Sequence, residues 1–326
     1  MTRTLLRWLD NARRAQTVAP DDDRVDWRRI WPFIALHVAA VWALWQGAST
    51  AALMACAVSY LIRMFGITAF YHRGLSHKAF RMSRTVQFIG ALLGTTATQR
   101  GPLWWAAHHR HHHQHADTDR DAHSPRHGFL RSHCGWFLSR KGFHAPAGRV
   151  KDLERFPELV WLDRFDLVVV IAYGLFWAGL GALLAWLAPS LGTSALEMFL
   201  WGYVVSTVLL IHATLAINSL AHRFGSRRYA TRDDSRNNFW LALLTLGEGW
   251  HNNHHHYAAS ARQGFRWWEV DITWYILLGM EKLGWVRDLR PVPAHKLNPE
   301  VASTPKAATT AALNPTGQTG ESGGVA

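Results

Sequence analysis

Along this chain the apolar residues are gathered into charge-free runs and are not spread at the spacing of amphipathic helices. From Ile30 to Ile62 there is no Asp, Glu, Lys or Arg, too long a stretch for one crossing of about 20 residues and a little short for two with a loop. If the second helix continues through Arg63 toward Tyr71, two spans fit, hinged near Gly47 to Thr50. The pattern recurs from Leu167 to Leu196 and from Met198 to His222, divided by the Pro-Ser-Leu-Gly turn at Pro189 to Gly192 and by Glu197. These runs predict an all-α integral membrane protein with four transmembrane helices, at about 30–48, 50–71, 167–188 and 198–220.

Charge sets the orientation. The turns near residues 48 and 190 carry no Lys or Arg, whereas residues 1–29, Arg73 to Arg164 and Arg223 to Lys296 hold nearly all of them. The positive-inside rule then predicts that both termini and both large polar regions are cytoplasmic. Residues 1–29, with Arg3, Arg7, Arg13, Arg14, Arg24, Arg28 and Arg29, form a basic segment without the apolar core of a signal peptide. Residues 30–292 form the membrane domain, and residues 293–326, rich in Ala, Thr, Gly, Pro and Ser, read as a disordered tail. The shorter apolar stretches Val86 to Thr98, Phe239 to Leu246 and Ile272 to Met280 predict helices lying at the interface or packed beneath the spans.

Composition removes other classes. With 49% hydrophobic residues, a disordered or fibrous chain is excluded. The net charge of +12 would also suit nucleic acid, but no nucleic-acid-binding motif accompanies it and basic loops beside a bilayer account for it. Only Cys56 and Cys134 are present, which excludes a Cys-rich zinc site and leaves no disulfide framework. The 20 histidines are the excess that needs chemistry.

Apart from single residues such as His37 and His123, read as solvated or hydrogen-bonded side chains, they cluster. His72 and His77 follow the second span, His108 to His115 open the middle polar region, and His251 to His256 lie past the fourth span, all at one face. On a helix His109, His112 and His113 share a face, as do His251, His254 and His255, so each trio can converge on a metal. The arc His108, His111, His112 and His115 is equally contiguous, and periodicity does not choose between them. His72 and His77 are about 140° apart on an ideal helix, so they sit at a helix end or distorted turn, or grip different ions.

The motifs HRGLSH at His72, HRHHH at His109, NSLAH at Asn218 and GEGWHNNHH at Gly247, in this order, resemble those of membrane-bound fatty acid desaturases of the acyl-CoA (stearoyl-CoA) type. The likeness extends through His123 to Lys141 and Arg266 to Trp274, and covers about Ile30 to Arg290. The resemblance implies a cytoplasmic helical cap carrying two iron ions held by His72, His77, His109, His112, His113, His222, His251, His254 and His255, with Asn218 reaching one metal through water. It gives His108, His111, His115 and His256 no ligand role. It implies an oxidoreductase that uses dioxygen to remove two hydrogens from adjacent methylenes of a long acyl chain, leaving a cis double bond. Asn218 also stands out physically, since an amide within an apolar run is costly in lipid without a function.

The acyl tail would enter a dry tunnel between the spans while its carrier waits at the surface. Trp104, Trp105, Trp250, Trp267 and Trp268 flank the motifs and either line that tunnel or form an interfacial belt. Arg140 and Lys141 match a basic pair that meets the coenzyme phosphates in the animal enzymes, whereas Ala107 and His108 replace their Arg-Asp pair. Acyl-CoA is the favoured substrate, followed by a lipid-bound acyl chain. No cytochrome domain or flavin motif is evident, so electrons come from an external ferredoxin or cytochrome b5 with its reductase. A hydroxylase with the same centre and, from another class, a metal transporter are the competing readings; transporters place their ligands within the spans.

Overall fold

The structure, a computed structural model, describes residues 8–297. The fold is mostly helical. Helix α1 covers Trp27–Gln46, capped by Asp26, whose carboxylate accepts the Arg28 N–H, and it ends at Gly47, where φ is +81°. Helix α2 runs over Thr50–Ser76, α5 over Asp166–Leu187 and α6 over Ala195–Ser219, and these three are long and apolar enough to cross a membrane. Their bounds lie within about five residues of the predicted spans. Helix α1 has the length, 20 residues, but Arg28, Arg29, Pro32 and His37 dilute its apolar character. Its outer face is nevertheless greasy, with Val41 67% and Trp45 86% exposed.

Between the two helix pairs lie α3 (Arg84–Thr95) and α4 (Pro102–His115). After α6 come α7 (Phe239–Leu244), α8 (His251–His256) and α9 (Ile272–Lys282), so all three shorter apolar stretches are helical. A two-residue antiparallel ribbon pairs Arg81 with Arg287 and Met82 with Val286, tying the chain after α2 to the end of the domain. The predicted tail lies, from residue 298 onward, outside the described residues.

The ends of α2 and α3 cross closely because glycine permits it: a Cβ on Gly94 would sit 2.4 Å from the ring of Tyr71. Buried Leu75, Leu103, Leu159, Leu162 and Leu210 fill the space around that crossing. Among the described residues, the fully buried Arg63 meets no carboxylate. Its guanidinium donates to Thr207 Oγ1 (2.6 Å), Ser206 Oγ (2.5 Å) and the carbonyls of Thr96 and Ser59, and lies over the Tyr173 ring. Hydroxyls and carbonyls thus satisfy a charge that hydrocarbon cannot.

Helix α2 also changes pitch. From Gly66 to Ser76 it is a π-helix, and the His77 N–H donates to the His72 carbonyl at 3.1 Å, a bond between residues five apart. On an α-helix those side chains would diverge; here their rings are 4.8 Å apart.

Candidate metal centre

Four segments deliver nine histidines to one place: the end of α2, helix α4, the turn after α6, and α8. They form two groups, His72, His77, His109, His113 with His254, and His112, His222, His251 with His255, and within each the ligand atoms lie within 4.8 Å of one another. The Nε2 atoms face inward. His77 and His109 are 2.7 Å apart, His113 and His254 2.9 Å, His72 and His254 3.1 Å, His222 and His251 3.0 Å, and His112 and His255 3.4 Å. Two imidazole nitrogens each about 2.1 Å from one ion and at a right angle around it would be about 3.0 Å apart, so these spacings fit a metal shared within each group.

Outer partners hold the rings in that orientation. Asp121 accepts from His112 Nδ1 (2.9 Å), Asp117 from His222 Nδ1 (2.9 Å) and Asp233 from His255 Nδ1 (2.8 Å), while Glu248 takes His72 Nδ1. A carboxylate on Nδ1 fixes the tautomer and leaves Nε2 for a metal. The four-histidine group therefore has three such carboxylates and the five-histidine group one. Burial, and then the neighbouring imidazoles, push His77, His109, His113, His251 and His254 well below the ordinary histidine range. Neutral imidazole is the form that ligates. Burial opposes charge at His112 as well, but Asp121 outweighs it and raises that histidine.

The open question of which arc of α4 faces inward has a geometric answer. His109, His112 and His113 point into the groups, whereas His108 Nε2 meets the His144 carbonyl (3.0 Å) and His111 Nε2 the Arg120 carbonyl (2.9 Å). His115 packs on His111, and His256 stacks on Tyr229 at 3.9 Å. The start of α4 is positioned by Asp163, which accepts the Trp104 N–H at 2.7 Å.

Beneath His72 lies a buried ionic network that the sequence did not flag. Arg73 donates to Glu248 (3.0 Å), Asp271 (2.9 Å) and the Ala261 carbonyl, and Gln263 donates to Glu248 (2.8 Å). Gly247 makes room for it: with φ at +126°, a Cβ there would lie 2.4 Å from Asp271.

A cavity of about 380 Å³ approaches the groups, and its wall includes His109 and Asn218. Trp104 and Trp105 line it; Trp250 does not, its indole N–H donating instead to the Val270 carbonyl, and Trp267 and Trp268 are exposed. Gln99 bridges the lining by donating to Thr214 (3.0 Å) and accepting from Trp105 (3.5 Å). Arg140 and Lys141 lie outside the cavity lining, Arg140 paired with Asp22 at 2.8 Å. The basic residues that line it are Arg14, Arg28, Arg29 and Arg100.

A second histidine arrangement joins α1 to α6. His37 Nδ1 meets the Phe33 carbonyl (2.6 Å), His37 Nε2 meets His212 Nε2 (2.8 Å), His212 Nδ1 meets His133 Nε2 (2.9 Å), and His133 Nδ1 meets Ser219 Oγ (2.9 Å). The carbonyl requires a proton on His37 Nδ1, and His212 Nε2 and then His133 Nε2 donate along the chain. His212 uses both nitrogens in opposite directions, so this is a hydrogen-bonded chain and not a metal group.

Known proteins are similar to this chain in sequence. The family model for fatty acid desaturases matches residues 48–287. Delta-9 acyl-lipid desaturase 2 of Arabidopsis thaliana is 38% identical over 71% of this chain and 72% of its own. The sn-1 stearoyl-lipid 9-desaturase of Anabaena variabilis is 35% identical over 80% of this chain and 92% of its own. An acyl-CoA 5-desaturase of Anemone leveillei is 34% identical over 84% and 85% respectively. The chain therefore belongs to the fatty acid desaturase family and is an oxidoreductase acting on fatty acyl chains.

Proposed function

We propose that this desaturase uses dioxygen and two iron ions to insert a cis double bond into a long saturated acyl chain. The observation that carries the reading is the meeting of a largely apolar-walled cavity with histidine groups whose Nε2 atoms have metal-sharing spacing. One ion is assigned to His72, His77, His109, His113 and His254. The other is assigned to His112, His222, His251 and His255, with Asn218 reaching it through water. Iron bound there supplies the oxidising power that polar side chains lack for unactivated methylenes, and imidazole ligands suit it.

The protein's own contribution is position. Trp104 and Trp105 wall the cavity beside His109, and the Gln99 bridge fixes the Trp105 indole, so the acyl chain meets the centre at one place along its length. Helix α1 serves as the fourth crossing, with both termini and the histidine cap on the cytoplasmic side, in keeping with the basic loops. Acyl-CoA and lipid-bound chains are both candidate substrates, as the names of the relatives include both. Arg140 and Lys141, outside the cavity, would meet the carrier beyond its mouth. Trp250 has a structural role. A ferredoxin or cytochrome b5 with its reductase supplies electrons, and a basic cytoplasmic surface suits an acidic donor.

Expression in a host whose fatty acids are profiled by mass spectrometry tests the reading. New cis monoenes with the intact chain and none with His112→Ala are expected; hydroxy acids in their place would assign the centre to a hydroxylase.

A further inference from the structure

Part of the cavity wall holds more positive charge than the described residues neutralise. Four guanidinium groups line it, on Arg14, Arg28, Arg29 and Arg100. Asp26 pairs with Arg14 (3.1 Å) and Asp166 with Arg100 (3.1 Å). Asp163, the other carboxylate nearby, is turned to the backbone of α4. Among the described residues Arg29 has no ion pair, and its Nη1 is buried without a hydrogen-bond partner. Three of the cations crowd one ring: the guanidinium carbons of Arg100, Arg14 and Arg29 lie 4.4, 5.0 and 5.2 Å from the centre of Phe143.

Crowding like charges in a partly dry wall is unfavourable, and a buried N–H donor left unmade costs more than one in water. Such a cluster is explained by an anion that completes it. The planar, multi-donor fork of arginine matches the several oxygens of a phosphate, and one carboxylate could not engage three forks. The position fits as well. Arg28 and Arg29 stand in the first turn of α1 beside Trp27 and Trp31, which are 62% and 63% exposed, the arrangement of an interfacial aromatic anchor at head-group level.

We infer that Arg29, with Arg14 and Arg100, binds the phosphate of the acyl carrier at this part of the cavity wall. The inference rests on the cavity being the acyl site, as proposed above. The shared chemistry is a phosphate ester next to a long acyl chain, and two carriers provide it, coenzyme A and a glycerophospholipid. Arg29 is the residue to alter because, among the described residues, no carboxylate depends on it for an ion pair.

The test is binding by the purified full-length protein in nanodiscs, without reductant, by competition against a fluorescent acyl probe. Three ligands with the same acyl chains are compared: stearoyl-CoA, distearoyl phosphatidylglycerol and a phosphate-free distearoyl monogalactosyl glycerol. Arg29→Gln is expected to weaken at least one phosphate ligand roughly tenfold and leave the galactolipid within about twofold. Whichever phosphate ligand suffers identifies the carrier, and Arg29→Lys, which keeps the charge but not the fork, should fall between. Equal weakening of all three, or no change in any, overturns the phosphate site. A parallel turnover assay separates the two ideas: if the intact protein forms no alkene from any ligand while the binding contrast persists, the desaturase reading fails and the phosphate site stands.

Discussion

The uneven distribution of carboxylates around the two histidine groups leads to a selective effect on metal retention. Asp117 Oδ2 accepts from His222 Nδ1 at 2.9 Å and from the Asp234 N–H at 2.7 Å, at a backbone φ of +59°. Asn adopts that conformation with little strain and matches the shape of Asp, so Asp117→Asn removes charge while preserving packing. A charge-assisted hydrogen bond is about twice as strong as a neutral one, and losing an outer carboxylate typically costs about 10–100-fold in metal affinity, or roughly 1.4–2.7 kcal/mol. His222 belongs to the four-histidine group alone, so one ion should weaken and the other should not. The assay is a chelator titration of the iron-loaded protein, counting iron per chain. The intact protein is expected to lose its ions at higher chelator, and Asp117→Asn to release one ion about 10–100-fold earlier. Loss of both ions together, or an unchanged curve, would refute the division into two groups.

Three further outcomes follow. His112→Ala and His254→Ala should each abolish product and lower bound iron while the protein remains membrane-inserted, whereas His111→Ala, bonded outward to the Arg120 carbonyl, should keep most activity; loss of iron in His111→Ala would favour the other arc of α4. Burial raises Asp163 to about 6 from an unfolded value near 3.8, so its contribution to stability is full below about pH 4 and is lost as pH rises through about 6. That amounts to roughly 2–3 kcal/mol, and Asp163→Asn, which retains an acceptor for the Trp104 N–H, should flatten this part of a melting-versus-pH curve. His212→Leu strips both His37 and His133 of a partner and should lower stability by about 1–3 kcal/mol; in a double-mutant cycle about half of that cost, the share owed to His37, should vanish when His37 is already Leu, and strict additivity would show that the two rings are not coupled.

Three of the four expected spans were legible because charge-free runs leave few other fates, and the histidine motifs because their order and spacing are specific. What was not legible depended on folding. The π-helical end of α2 brings together His72 and His77, which an ideal helix would separate, and only backbone hydrogen bonding reveals it. Asp117, Asp121 and Asp233 are ordinary surface residues by composition, yet each is buried against a histidine. The spacing of Asp117 and Asp121, five and nine residues past His112, was the available clue. Trp250 flanks a motif and invited a place in the tunnel, but its indole is committed to the Val270 carbonyl. The cavity wall combines Arg14, Arg28 and Arg29 with Arg100, residues some seventy or more positions apart, so no local pattern could mark it.

Desaturation at the two histidine groups of an acyl chain held in the adjoining cavity can be followed in a single turnover: purified, iron-loaded, chemically reduced protein is mixed with a stearoyl substrate and dioxygen, and the product is identified by mass spectrometry. One cis alkene for every two irons, absent without dioxygen and absent in His112→Ala, is the expected result. A hydroxylated chain, or an alkene that forms equally in His112→Ala, would show that these histidines do not carry out the desaturation.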